Sequence, residues 1–272
     1  MLRALFVLAA ATLPAAAQSP LRFAWKAGDS HAYGLQHTTT VTETLPDEKT
    51  RKPVATTATT KVTLARTWAV KSVDAAGVAT LELTITSMKQ EHTQPDGTVV
   101  VLDSASAEGA KAMSAFLNKP AVTARVDARG QLVDAQSAVG DTSRLRTELP
   151  FRAVLPEAVV SVNATWERNF AIKLDPPLGT GESYDAVQNY TFKGQNGDFA
   201  VIGLSTVLRK PPTAAADLQP LVSWLWEGDV FFDAKAGRYH AAKLKATKEI
   251  ANHQGEGSKF AYVSEYAEAL AK

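Results

Sequence analysis

Alternation of apolar and polar positions dominates the chain. From Asp229 to Ala246, two strand-like runs flank Asp233-Ala-Lys-Ala-Gly237, whose glycine can supply the positive φ of a tight hairpin turn. Similar turns stand at Asp74–Gly77, Pro95–Gly97, Asp127–Gly130 and Gly194–Gly197. Between them, Val78, Thr80, Glu82, Thr84 and Thr86 fall on one strand face and Ala79, Leu81, Leu83 and Ile85 on the other, buried one. His31, Tyr33, Leu35 and His37 likewise share a face of a strand over 31–42. The pattern predicts further strands at 21–25, 59–73, 98–102, 121–126, 131–135, 165–174, 184–193, 199–208 and 260–266, with an exposed loop at 45–55.

The period changes at three places. Met113, Phe116 and Leu117 have helical spacing within 104–118. A second short helix is expected between 142 and 155, stopped near Pro150. A third is expected to start at a cap on Asp217, with Leu218, Leu221, Val222 and Leu225 forming its apolar stripe and Pro220 tolerated in the first turn. Each half then reads hairpin, helix, hairpin: 59–88, 104–118 and 121–135, then 184–208, 217–226 and 229–246. An internal duplication would leave that order, and so would a small vocabulary of turns. The expected fold is mainly β to α+β, with strongly curved antiparallel sheets, one or two in number, each closed on its concave side by a short helix.

The N-terminus changes the picture of where this fold works. Arg3, the apolar run Ala4–Leu13 and the small residues Ala15–Ala17 read as a signal peptide cleaved between Ala17 and Gln18. The domain organisation is then 1–17 signal peptide, 18–140 first β-rich half, 141–163 connector and 164–272 second β-rich half, or one continuous domain over both halves. No later stretch is apolar enough for a transmembrane helix, so the expected location is periplasmic or extracellular. The chain contains no cysteine, which excludes disulfides, thiol catalysis and a lipid-anchored N-terminus. Cleavage removes one basic residue from 29 and leaves 28 acidic ones, a neutral balance that gives no support to nucleic acid as a partner.

Chemical motifs are sparse. There is no G-x-S-x-G elbow, no phosphate-binding loop and no H-E-x-x-H. His31 and His37 lie about 20 Å apart on an extended strand, and His240 beside Tyr239 fits an ordinary strand position, so neither metal nor other cofactor is expected. Trp224 and Trp226 flank the third helix's stripe without lying on it. They either pack in the core or, with Phe231 and Tyr239, bound a hydrophobic ligand groove. The acids Glu167, Asp175, Glu182, Asp185, Asp198, Glu227, Asp229 and Asp233 sit mostly at turns or strand ends, and no pair of them is expected to face across the deepest pocket. Two sequons, at Asn163 and Asn189, are expected to be unmodified.

Three stretches, Trp68–Leu81, Leu155–Trp166 and Gly181–Tyr184, resemble an uncharacterised family of exported bacterial proteins, with Asn163 where that pattern has glycine. More loosely, the chain looks like periplasmic half-barrel carriers of lipoproteins and lipids. The resemblance implies no catalytic residues. These readings converge on a non-enzymatic exported carrier for a lipid or another apolar or amphipathic ligand. The alternatives are a structural or protein-binding component of the cell envelope, with an envelope protein as partner, and a hydrolase of an envelope polymer.

Overall fold

The structure is a computed structural model that describes residues 20–138, 140, 142–176 and 178–271; the expected signal peptide and its cleavage site lie outside them. Twelve strands appear among the described residues: β1 Ser30–Pro46, β2 Pro53–Val73, β3 Ala79–Thr93, β4 Val99–Asp103, β5 Pro120–Val126, β6 Leu132–Ser137, β7 Thr165–Leu174, β8 Glu182–Asn196, β9 Phe199–Leu208, β10 Glu227–Asp233, β11 Arg238–Ala251 and β12 Lys259–Leu270. Every pairing between them is antiparallel. They form one sheet in the order β6-β5-β3-β2-β1-β12-β11-β10-β9-β8-β7, with β4 beside β3. The first half therefore runs outward from the centre and the second runs back inward, and the two meet where β1 pairs with β12.

This arrangement corrects the expected architecture. The sheet is single and open, neither curled nor closed, with β6 and β7 at its free edges. A tandem duplication would place corresponding hairpins in the same relative position. Here the first hairpin is followed along the sheet by the second in both halves, β2-β3 by β5-β6 and β8-β9 by β10-β11, so the repeated order fits a duplication as well as reused turns. Nor do helices close the sheet. The three among the described residues, α1 Ala107–Ala112, α2 Ser143–Glu148 and α3 Ala215–Leu218, are a turn or so each. The last continues as a 3-10 turn over Gln219–Trp224, and Ala214, not Asp217, stands at its N-cap.

What covers the sheet is irregular chain. Leu149, Phe151, Ala153, Val154 and Leu155 are almost wholly buried and pack with residues of β1–β3 and β8–β12 in one continuous core. Phe151 lies within 6 Å of the rings of Phe23, Trp25, Trp68 and Tyr239. Buried irregular backbone must find hydrogen-bond partners, and side chains supply them. Trp166 Nε1 donates to the Val154 carbonyl at 2.7 Å, Arg129 Nε to that of Leu155 at 2.9 Å, and Arg22 to that of Pro156 at 2.6 Å.

The lead-in segment 21–25 is extended but joins no strand. Its Phe23 and Ala24 amides instead donate to Ala128 and Gly237 in two of the Asp-to-Gly turns. Both glycines have positive φ, and a Cβ on either would strike this segment: 2.7 Å from the Phe23 ring at Gly130, 2.5 Å from Ala24 Cβ at Gly237. The turns thus clasp the N-terminal segment as well as reversing the chain. The β1-β2 ladder also continues to Pro46 and Pro53, shortening the expected loop to residues 47–52.

Candidate ligand site

On the covered face, burial falls off along the same strands. Trp68, Val70, Ala79 and Leu81 are sealed in the core, whereas Leu35, Val62, Leu64 and Ile85 are only half-buried. The difference marks a cavity of about 320 Å³ between β1–β3 and the segment from α2 to Arg152. Its apolar wall is Leu35, Val62, Leu64, Leu83 and Ile85; its polar side is His37, Arg66, Arg144, Glu148 and Arg152, with Trp226 and Tyr266 between them.

Two carboxylates organise the polar side. Glu148, at the end of α2, accepts from Arg144 at 2.9 Å, Arg152 at 2.5 Å and Trp226 Nε1 at 3.2 Å. Burial alone would raise its pKa, but Arg152 and Arg144 outweigh burial and hold the carboxyl at about 2. Glu268 on β12, with no exposed side-chain surface, accepts from Arg66 Nε at 2.6 Å, Tyr266 at 2.8 Å and Tyr239 at 3.0 Å. Burial again opposes its ionisation, and Arg66 with the hydroxyl of Tyr266 still keeps its pKa below the ordinary value. The tyrosines move the other way: desolvation and the Glu268 charge push Tyr239 well up, and desolvation carries Tyr266 to about 12.

Arg152 joins the two clusters. Its guanidinium stacks over the Tyr266 ring, 4.1 Å from the centroid, while one of its nitrogens holds Glu148. Its backbone sits at φ 65°, and Leu149 before it at φ 63°. For side chains of this size such angles cost on the order of 1–3 kcal/mol each and persist only where the surroundings impose them. Here core packing of Leu149 and Phe151 fixes the path, and Arg152 is turned toward the cavity. His37 on β1 faces Trp226 at 5.6 Å and bonds Ser264 at 2.8 Å. Desolvation first, then Arg144 and Arg152, lower its pKa, so it is neutral at pH 7.

Of the four residues singled out from sequence, Trp226 lines this cavity. Trp224 is buried in a satellite cluster with Ile172, Leu174 and Leu221, its ring under Arg144 at 4.6 Å. Tyr239 lies deeper, bonded to Glu268, and Phe231 alternates with buried Val230 and Phe232 and so points from the opposite face. Helical spacing misplaced the tryptophans because the chain from 219 is a 3-10 turn that passes directly into β10 at Glu227.

Sequence reasoning missed Arg66, Arg144, Glu148, Arg152 and Glu268. One signal was available: Glu268 continues the alternating series Phe260, Tyr262, Ser264, Tyr266, so an acid falls on a buried face. Two of the eight acids, Glu227 and Asp229, share a groove on the other face of the sheet, side by side and not facing across it. They are neighbours on one strand face, each held by a lysine, Lys245 at 3.1 Å and Lys193 at 2.6 Å. Among the described residues no cluster of three or more His, Asp or Glu could hold a metal. His240 stacks on Phe199 at 3.9 Å. No helix among the described residues is long and apolar enough to cross a membrane.

No family model matches the chain, and no curated protein matches it. Among solved structures, one concerned with lipid–protein interactions in lipovitellin is similar over 91% of this chain, at 13% identity and a TM-score of 0.49. The match takes in 25% of the lipovitellin chain, so this chain spans about a quarter of that protein's length. DynF from the dynemicin biosynthesis pathway of Micromonospora chersina is similar over 93% of this chain and 86% of its own, at 9% identity and a TM-score of 0.24. Neither likeness is close enough to carry an argument about this chain.

Proposed function

We propose that the chain is a non-enzymatic carrier of an amphipathic ligand, exported as the sequence of residues 1–17 suggests. One observation carries the reading: a cavity of about 320 Å³ whose one side is a half-buried aliphatic sheet and whose other is a fixed set of guanidinium groups. That volume falls at the lower end of the range for small-molecule sites, about 300–1,000 Å³, and fits a single apolar chain better than a multi-chain lipid. Apolar walls with a few convergent polar groups are the usual composition of such sites.

The test is native mass spectrometry of the mature protein purified from its own host. A retained ligand of uniform mass is expected, released by organic solvent and absent from Leu64→Trp, whose indole fills the cavity from the β2 wall. A wild-type protein without added mass, and without affinity for any dodecyl amphiphile in vitro, overturns the reading. One feature favours a second reading, capture of a partner strand. Val99, Val100 and Val101 of β4 are each about half exposed, and among the described residues β4 pairs only with β3.

A further inference from the structure

We propose that the ligand of this cavity carries a single negative charge, a carboxylate or phosphodiester head seated against Arg152 and Arg144. The inference rests on the carrier reading and adds the chemistry of the head group.

Charge is the first argument. Arg66, Arg144 and Arg152 line the cavity, and Glu148 and Glu268 answer two of them, while His37 is neutral at pH 7. One positive charge is left over. An uncompensated charge in a partly desolvated site is costly, and one monoanion restores balance there. A cation would double the excess, and a dianion would reverse it.

Hydrogen bonding is the second. Arg152 is buried, with 11% of its side chain exposed, and its Nε–H has no partner even though Glu148 takes Nη1. That Nε–H is closed off from solvent, and it is the rest of the guanidinium, lining the cavity beside Arg144, that can meet a ligand. Guanidinium groups suit this task because their planar donors match an oxyanion in pairs. The backbone path is the third: core packing of Leu149 and Phe151 holds residue 152 at φ 65° and leaves its side chain on the cavity wall. From that head position the aliphatic residues of β1–β3 provide the track for the tail.

The experiment is calorimetric titration of the mature protein at pH 7.5, below micelle formation. The ligands are dodecanoate, lysophosphatidylglycerol, dodecanol and dodecyltrimethylammonium. One or both of the two monoanions should bind at least tenfold more tightly than dodecanol, with the cation weakest; the stronger monoanion tells carboxylate from phosphodiester. Arg144→Gln, at a half-exposed position that should fold normally, is expected to cut the preference over dodecanol to threefold or less. Equal affinity for dodecanol and both monoanions overturns the head-group inference and leaves the carrier reading standing. So does preference for the cation. Failure of all four ligands to bind overturns both. Arg152→Lys gives an independent reading: it keeps the charge but loses the paired donors, and an unchanged preference for the monoanion contradicts the role given to Arg152.

Discussion

Truncating Phe151 to alanine removes the side chain on which the irregular segment is anchored. The ring is 3% exposed and meets four aromatic neighbours with centroids 5.2 to 5.8 Å away. A buried Phe→Ala change typically costs about 3–5 kcal/mol from lost transfer energy plus the cavity left behind. Those neighbours come from β2, β11 and the clasped N-terminal segment, so they cannot all collapse inward, and the upper part of the range, about 4–5 kcal/mol, applies. With a urea m-value near 3 kcal/mol/M, the unfolding midpoint should fall by roughly 1.5 M. Urea titration followed by tryptophan fluorescence, with an unchanged slope, measures this. A loss under about 1 kcal/mol would show that the segment lies loosely over the sheet, and the description of it as the core would be wrong.

Two further outcomes are expected. Glu148 has a pKa of about 2 in the folded protein against an ordinary 4.5, because Arg152 and Arg144 overcome its burial. An acid depressed on folding stabilises fully above its unfolded pKa and loses that contribution as pH falls through the folded one. Stability should therefore drop between about pH 4.5 and 2 by on the order of 3 kcal/mol from this group, and Glu148→Gln should flatten that part of a urea-midpoint profile; an unaltered acid limb refutes the pairing. Gly130 and Gly97 both have positive φ, but only at Gly130 would a Cβ meet the Phe23 ring and the Ala153 carbonyl, at 2.7 and 3.0 Å. Alanine at Gly97 should cost about 1–2 kcal/mol and at Gly130 clearly more, and equal costs by the same urea titration would remove the clasp from the account.

Much of the sheet was legible because alternation and turn chemistry are local. β7 and β9 have the bounds that period-two patterning predicts, and Asn163 takes the positive φ expected ahead of β7. The pairing of β1 with β12 was not legible, since contacts between residues more than two hundred positions apart leave no local signature. Residues 149–156 read as a connector because they have no period. Their composition held a clue: five of the eight, Leu149, Phe151, Ala153, Val154 and Leu155, are apolar core formers, and Pro150 and Pro156 exclude a regular element while both are buried. The site was hidden for a related reason. Glu148, Arg152 and Glu268 look like surface charges until the segment is laid on the sheet, where distance and burial turn them into two paired clusters.

The most direct test of the central claim is where a ligand sits. Methyl-labelled protein titrated with dodecanoate should show its largest chemical-shift changes at Leu35, Val62, Leu64 and Ile85, with Val207 and Val263, exposed elsewhere on the sheet, unmoved. Changes concentrated at Val207 and Val263, or at the valines of β4, with the cavity methyls silent, would contradict it.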